Sequence, residues 1–99
     1  MSKVTIYLST RFTLRDFTVY EDRMELVRTE LPHYTKAGSF ETDLTGEDAA
    51  EEAFNLTNYP SRQEERERKY GRCRSVSTGD VVEVDGVKYV CMSCGWEAL

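Results

Sequence analysis

Apolar and polar positions follow three different rhythms along the chain. In Val4-Thr5-Ile6-Tyr7-Leu8 they alternate, with Val4, Ile6 and Leu8 on one side and Thr5 and Tyr7 on the other, which predicts a strand over Lys3–Ser9. Near the C-terminus, Asp85-Gly86 separates two runs rich in Val and Tyr. Asp-Gly favours a type I′ turn, because both central residues need positive φ, so a β-hairpin is predicted over Gly79–Val84 and Val87–Ser93. A two-residue turn fixes the register. Val84 faces Val87, Val82 faces Tyr89 and Asp80 faces Cys91 on an apolar side, while Glu83 faces Lys88 and Val81 faces Val90 on a mixed side.

The third rhythm is helical. Thr45-Gly46-Glu47-Asp48 opens the clearest helix, with Thr45 as N-cap and acidic side chains in the first turn, where the backbone dipole favours them. It runs to about Asn58, ahead of Tyr59-Pro60, with Ala49, Ala50, Ala53, Phe54 and Leu56 or Thr57 as its apolar face. Three alanines allow close approach to a sheet. Ser61-Arg62-Gln63-Glu64 reads as a capping box opening a short charged helix to about Lys69, with no apolar stripe and hence a surface position.

Two stretches are less regular. Residues 9–20 mix aromatic and charged side chains without a period and read as loop. Tyr20, Met24, Val27 and Leu31 recur at helical spacing behind Thr18-x-x-Glu21, yet Met24–Thr29 also fits a strand, and the local pattern leaves both open. Pro32 ends the element either way. Lys36-Ala37-Gly38-Ser39 reads as a turn, and Phe40–Leu44 as a short edge strand.

Ninety-nine residues predict one domain over 1–99, too small for a large enclosed substrate cavity. The net charge of −5 is unevenly placed: acidic residues lead basic ones by 11 to 3 over Asp16–Phe54, and basic residues lead by 6 to 3 over Ser61–Arg74. An acidic half and a basic strap invite attraction within one molecule. No run approaches the roughly 18 apolar residues of a membrane span, and Met1-Ser2-Lys3 leads into a strand and not a signal peptide, so a soluble, cytoplasmic chain is expected. Three cysteines, an odd number, then read as free thiols.

Candidate chemistry concentrates in the last third. Cys91-x-x-Cys94 with Cys73 and His33 offers four zinc ligands, but no second Cys-x-x-Cys accompanies it and Cys91 sits in a strand; buried thiols are the favoured reading, and neither metal nor cofactor is expected. Arg72, Arg74, Ser75 and Ser77 are candidates for an anion site, with guanidinium forks and hydroxyls converging on a phosphate. The competing reading has the serines satisfying loop backbone groups and the arginines pairing with acidic neighbours. Tyr70, Tyr89 and Trp96 offer surfaces for stacking, Tyr89 being placed in the core and Trp96 either as a lid or as an exposed anchor. The run Glu47, Asp48, Glu51 and Glu52 can mimic phosphates toward an enzyme, a solvated helix face being the commoner use. No Ser-His-Asp, His-Glu-x-x-His, Walker or paired-carboxylate pattern is legible, so an enzyme is not expected.

Arg74-Ser75-Val76-Ser77-Thr78-Gly79-Asp80-Val81-Val82, followed by Asp85-Gly86, Tyr89 and Gly95-Trp96-Glu97, resembles the C-terminal motif of a family of small proteins of uncharacterised activity from actinobacteriophages, actinobacterial chromosomes and mobile elements. The helix ending Phe54-Asn55-Leu56-Thr57-Asn58 resembles that family too. The likeness covers about the last 55 residues and, loosely, Met24–Arg28, where it implies a strand. The chain departs at Arg72-Cys73, where Gly-Asn is usual, at Thr78, where Val is commoner, and at Cys91 and Cys94, where other small or apolar residues are frequent.

The expected fold is therefore α+β: a small antiparallel sheet of three to four strands (Lys3–Ser9, Met24–Glu30, Gly79–Val84, Val87–Ser93), one covering helix over Thr45–Asn58 and a short charged surface helix. The resemblance, small size, acidic charge and missing catalytic groups point to a non-enzymatic accessory protein that binds and modulates a host protein, working in the host cytoplasm if phage-encoded. Arg72, Arg74, Ser75, Ser77, Asp80 and Trp96 are its candidate contact residues. The alternative is a nucleic-acid-binding module using the basic Arg62–Arg74 segment.

Overall fold

The computed structural model describes residues 1–11, 22–70, 75–93 and 95–99, with the backbone alone at Lys69 and Tyr70. The strands β1 (Ser2–Leu8), β2 (Thr35–Thr42), β3 (Val81–Val84), β4 (Val87–Cys91) and β5 (Trp96–Ala98) form one five-stranded sheet in the order β2-β1-β3-β4-β5. Every pairing is antiparallel. Three helices accompany it, α1 (Arg23–Glu30), α2 (Gly46–Asn58) and α3 (Gln63–Tyr70), with single 3-10 turns at Leu31–His33 and Pro60–Arg62. The fold is the expected α+β class with one strand more than expected. Among the described residues no helix is long and apolar enough to cross a membrane.

The hairpin forms as its turn dictates. Asp85 and Gly86 have φ of 49° and 88°, and Val84 pairs with Val87, Val82 with Tyr89, Glu83 with Lys88 and Val81 with Val90. The tip is tied to β1: the Lys3 N–H donates to Asp85 Oδ1 at 2.9 Å and the Asp85 N–H donates to Lys3 O at 3.1 Å. The Lys3 N–H most of all, and a hydrogen bond from the Ser2 side chain next, hold the Asp85 carboxyl below its ordinary value.

Helix α2 covers one face. Ala49, Ala50, Ala53 and Leu56 are fully buried against Val4, Ile6 and Leu8 of β1, Val82 and Val84 of β3, Phe40 and Cys91. Thr45 occupies the N-cap position with extended backbone, but its side chain makes no capping bond.

The other face is covered too, which corrects the expected one-sided sheet. Val27 of α1 is buried with Val81 and Val90, and Tyr7, Met24, Leu26, Leu31 and Tyr34 close around them. The strand expected at Met24–Glu30 is thus a helix. Asp22, not Thr18, is its cap, its Oδ1 accepting from the Glu25 N–H at 3.1 Å, and the Thr18-Glu21 box lies outside the described residues. A strand there would also find β1 already paired on both edges, with β2 and with β3.

The turn expected at Lys36–Ser39 is instead part of β2. Ile6 pairs with Gly38 and Tyr7 with Lys36, leaving Ala37 as the extra residue of a β-bulge; small residues that signal a turn also serve a bulge. β5 was not foreseen. A turn closed by the Met92 N–H donating to Gly95 O at 2.9 Å, with Gly95 at φ 91°, returns the chain so that Trp96 pairs with Cys91.

Helix α3 follows a 3-10 turn that contains Ser61, so the predicted capping box does not open it. It packs on α2 and β2.

Candidate functional site

The segment singled out by sequence, Ser75 to Asp80, leads into β3 and is tied by hydrogen bonds to the last turn of α2. Thr57, in the last turn of α2, is its receptor: the Ser75 hydroxyl donates to Thr57 O at 2.6 Å, and the Val76 N–H donates to Thr57 Oγ1 at 3.0 Å. The Asn58 amide donates to Val76 O at 2.9 Å, and the Val76 side chain is buried in the core. Four residues on, the Asp80 carboxylate has no exposed surface. Its Oδ1 accepts from the Ser9 N–H at 2.9 Å, and its Oδ2 accepts from the Ser77 N–H at 2.8 Å and the Ser77 hydroxyl at 3.3 Å. A buried charge is tolerated only with such donors. Ser75, Ser77 and Asp80 thus form a latch joining α2, β1 and β3. A phosphate approaching Ser77 would meet the Asp80 carboxylate, so the described part of the predicted anion site serves the fold. Arg72 and Arg74 lie outside the described residues.

The basic strap is partly engaged as well. Arg62 grips both Glu52 oxygens, Nη1 on Oε1 and Nη2 on Oε2, and its Nε donates to Glu65 Oε1 at 3.0 Å. The Glu52 bond, against the opposing effect of partial burial, pushes the guanidinium further above its ordinary value. Arg66 Nη1 donates to Thr57 O at 3.0 Å. Of the other strap cations, Arg68 is exposed, and the side chain of Lys69 is outside the described residues.

Of the metal candidates, Cys73 and Cys94 lie outside the described residues, while Cys91 is a buried free thiol. Burial, then the neighbouring Asp80 and Glu51 charges, push it up to about 12, whereas metal and redox chemistry need the thiolate. His33 is exposed at the end of a 3-10 turn. Among the described residues no three His, Cys, Asp or Glu side chains are grouped so as to hold a metal ion.

Trp96, the remaining candidate, belongs to a site that sequence reasoning only half located. A cleft of about 200 Å³ opens between α2 and the β4–β5 turn, lined by Glu51, Phe54, Cys91, Met92, Ser93, Gly95 and Trp96. The Trp96 indole Nε1 donates to Glu51 Oε2 at 2.7 Å, bracing the half-exposed ring against the helix. Phe54 and Trp96 both pack on the core while lining the cleft. The available signal was the i, i+3 spacing of Glu51 and Phe54, which puts both on one side of α2; what concealed the site was β5, which carries Trp96 to them.

No protein-family model, no curated protein and no solved structure matches the chain.

Proposed function

We propose that the chain is a non-enzymatic accessory protein, of phage or mobile-element type, that binds a host protein in the cytoplasm and alters its activity, using the cleft beside Trp96 as its contact point. The observation that carries this reading is the placement of the sole tryptophan: half-exposed at the lip of a cleft, braced by Glu51 and backed by Phe54. Tryptophan is among the residues most enriched at the energetic hot spots of protein interfaces. Val87, Leu44 and Met1 add exposed apolar surface at the opposite, turn end of the sheet. The latch residues Ser75, Ser77 and Asp80 support the surface without forming it. For the nucleic-acid alternative, Arg62 and Arg66 are already committed to Glu52, Glu65 and Thr57, which leaves fewer cations to meet phosphates.

Affinity capture from an actinobacterial lysate on the immobilised chain tests the proposal. A saturable protein partner, retained at least about tenfold less by Trp96→Ala, an energy of about 1.4 kcal/mol, is the expected result. No saturable partner and no phenotype on expression contradict it. Binding of DNA or RNA at low salt, falling with log salt at about −0.7 to −0.9 per neutralised phosphate, would move the assignment to the alternative.

A further inference from the structure

Resting on the partner-binding reading above, we infer that the Trp96 cleft seats one cationic side chain, an arginine or lysine, presented by the protein partner.

Size limits the occupant first. At about 200 Å³ the cleft lies below the roughly 300–1,000 Å³ of pockets that enclose drug-sized ligands. The end of one side chain fits; a nucleotide or folded cofactor does not. The lining then sets the charge. It comprises two aromatic residues, Phe54 and Trp96, together with Cys91, Met92, Ser93 and Gly95, and a single charged residue, Glu51. Aromatic faces are negative at their centres and attract cations, Trp most strongly. The Trp96 N–H occupies Glu51 Oε2, while Oε1 has no partner among the described residues, so the carboxylate keeps an acceptor for an incoming guanidinium or ammonium.

The surroundings carry the same sign. Glu47 and Asp48 lie exposed in the first turn of α2, one turn before Glu51. Asp80 and Glu51 both act on Cys91 in the cleft wall in the direction of a negative field. Lys88 of β4, on the opposite face of the sheet from the cleft, is bridged to Glu83 at 3.1 Å. An anionic occupant would meet only repulsion, and a neutral apolar one would leave Glu51 without a role beyond bracing.

The single tryptophan reports directly on occupancy. Intrinsic fluorescence is titrated with the peptides acetyl-Gly-Arg-Gly-amide and acetyl-Gly-Lys-Gly-amide, and with the neutral acetyl-Gly-norleucine-Gly-amide of similar length. The expected result is a saturable change with the arginine or lysine peptide at a Kd of about 1 mM or tighter, at least about tenfold weaker with norleucine. Glu51→Gln, which keeps an oxygen for the Trp96 N–H, should weaken the cationic peptide about tenfold and leave the norleucine response unchanged. Phe54→Leu should weaken it several-fold at an unchanged unfolding midpoint. Equal response to norleucine, or no saturable change with either cationic peptide below about 10 mM, overturns the inference. Should a captured partner depend on Trp96 but not on Glu51, the cation inference fails while the partner reading stands. Binding of the cationic peptides without any captured partner gives the reverse.

Discussion

A carboxylate with no exposed surface has to be met by donors, and at Asp80 they come from two separate parts of the chain, Ser9 and Ser77. Replacing Asp80 with Asn presents an NH2 group where an N–H already points inward and discards charge-assisted bonds. Asp80→Asn should therefore cost about 3 kcal/mol in urea unfolding; a loss below about 0.5 kcal/mol would mean that the latch does not hold the fold together. Cys91 makes a different prediction. Its thiol is raised in the folded chain from 9.0 to about 12, so below pH 9 both states keep the proton and its contribution is complete. Above that the unfolded chain loses its proton first, and stability should fall by about 1.4 kcal/mol per pH unit as pH rises toward the folded value. Unfolding midpoints from pH 8 to 11 check this, and Cys91→Ala should remove that part of the slope. The chemistry of these two residues was visible in the sequence only in outline. The Ser-x-Ser-x-Gly-Asp spacing marks a polar loop, but its receptor Thr57 lies 18 residues before Ser75, and nothing local announces that contact.

Elements whose determinants are adjacent in sequence were legible. Asp85-Gly86 fixes the β3–β4 register by itself, and the alanines of α2 fix its buried face. Gly86 has φ 88° with nothing within 4 Å of the position a Cβ would take, so Gly86→Ala tests backbone conformation without a clash. A loss of about 1–2 kcal/mol is expected by thermal unfolding. An unchanged midpoint would mean the turn accepts a side chain at positive φ without strain. Elements decided by partners were not legible. Met24–Thr29 satisfies both periods, and the choice falls to Val27, which has Val81 and Val90 to bury against, and to β1, whose edges are both taken. β5 is three residues long and pairs only because the Met92–Gly95 turn delivers it to β4.

At the scale of the molecule, the acidic half and basic strap attract each other through Arg62, which joins Glu52 of α2 to Glu65 of α3 and so helps seat α3 against α2 and β2. The uneven charge of the sequence is in part internal cement. The acidic first turn of α2 stays exposed, one turn before Glu51 of the Trp96 cleft. On the proposed reading, stability rests with the latch and recognition with the neighbouring Trp96 cleft. The measurement that tests this division most directly compares partner capture and urea unfolding for the wild type, Trp96→Ala and the double variant Ser75→Ala with Ser77→Ala. The account predicts that the serine variant loses about 1–3 kcal/mol of stability while its folded fraction keeps the partner, and that Trp96→Ala loses the partner by about tenfold or more while still folded. Loss of the partner by the folded serine variant, with Trp96→Ala retaining it, would contradict the account.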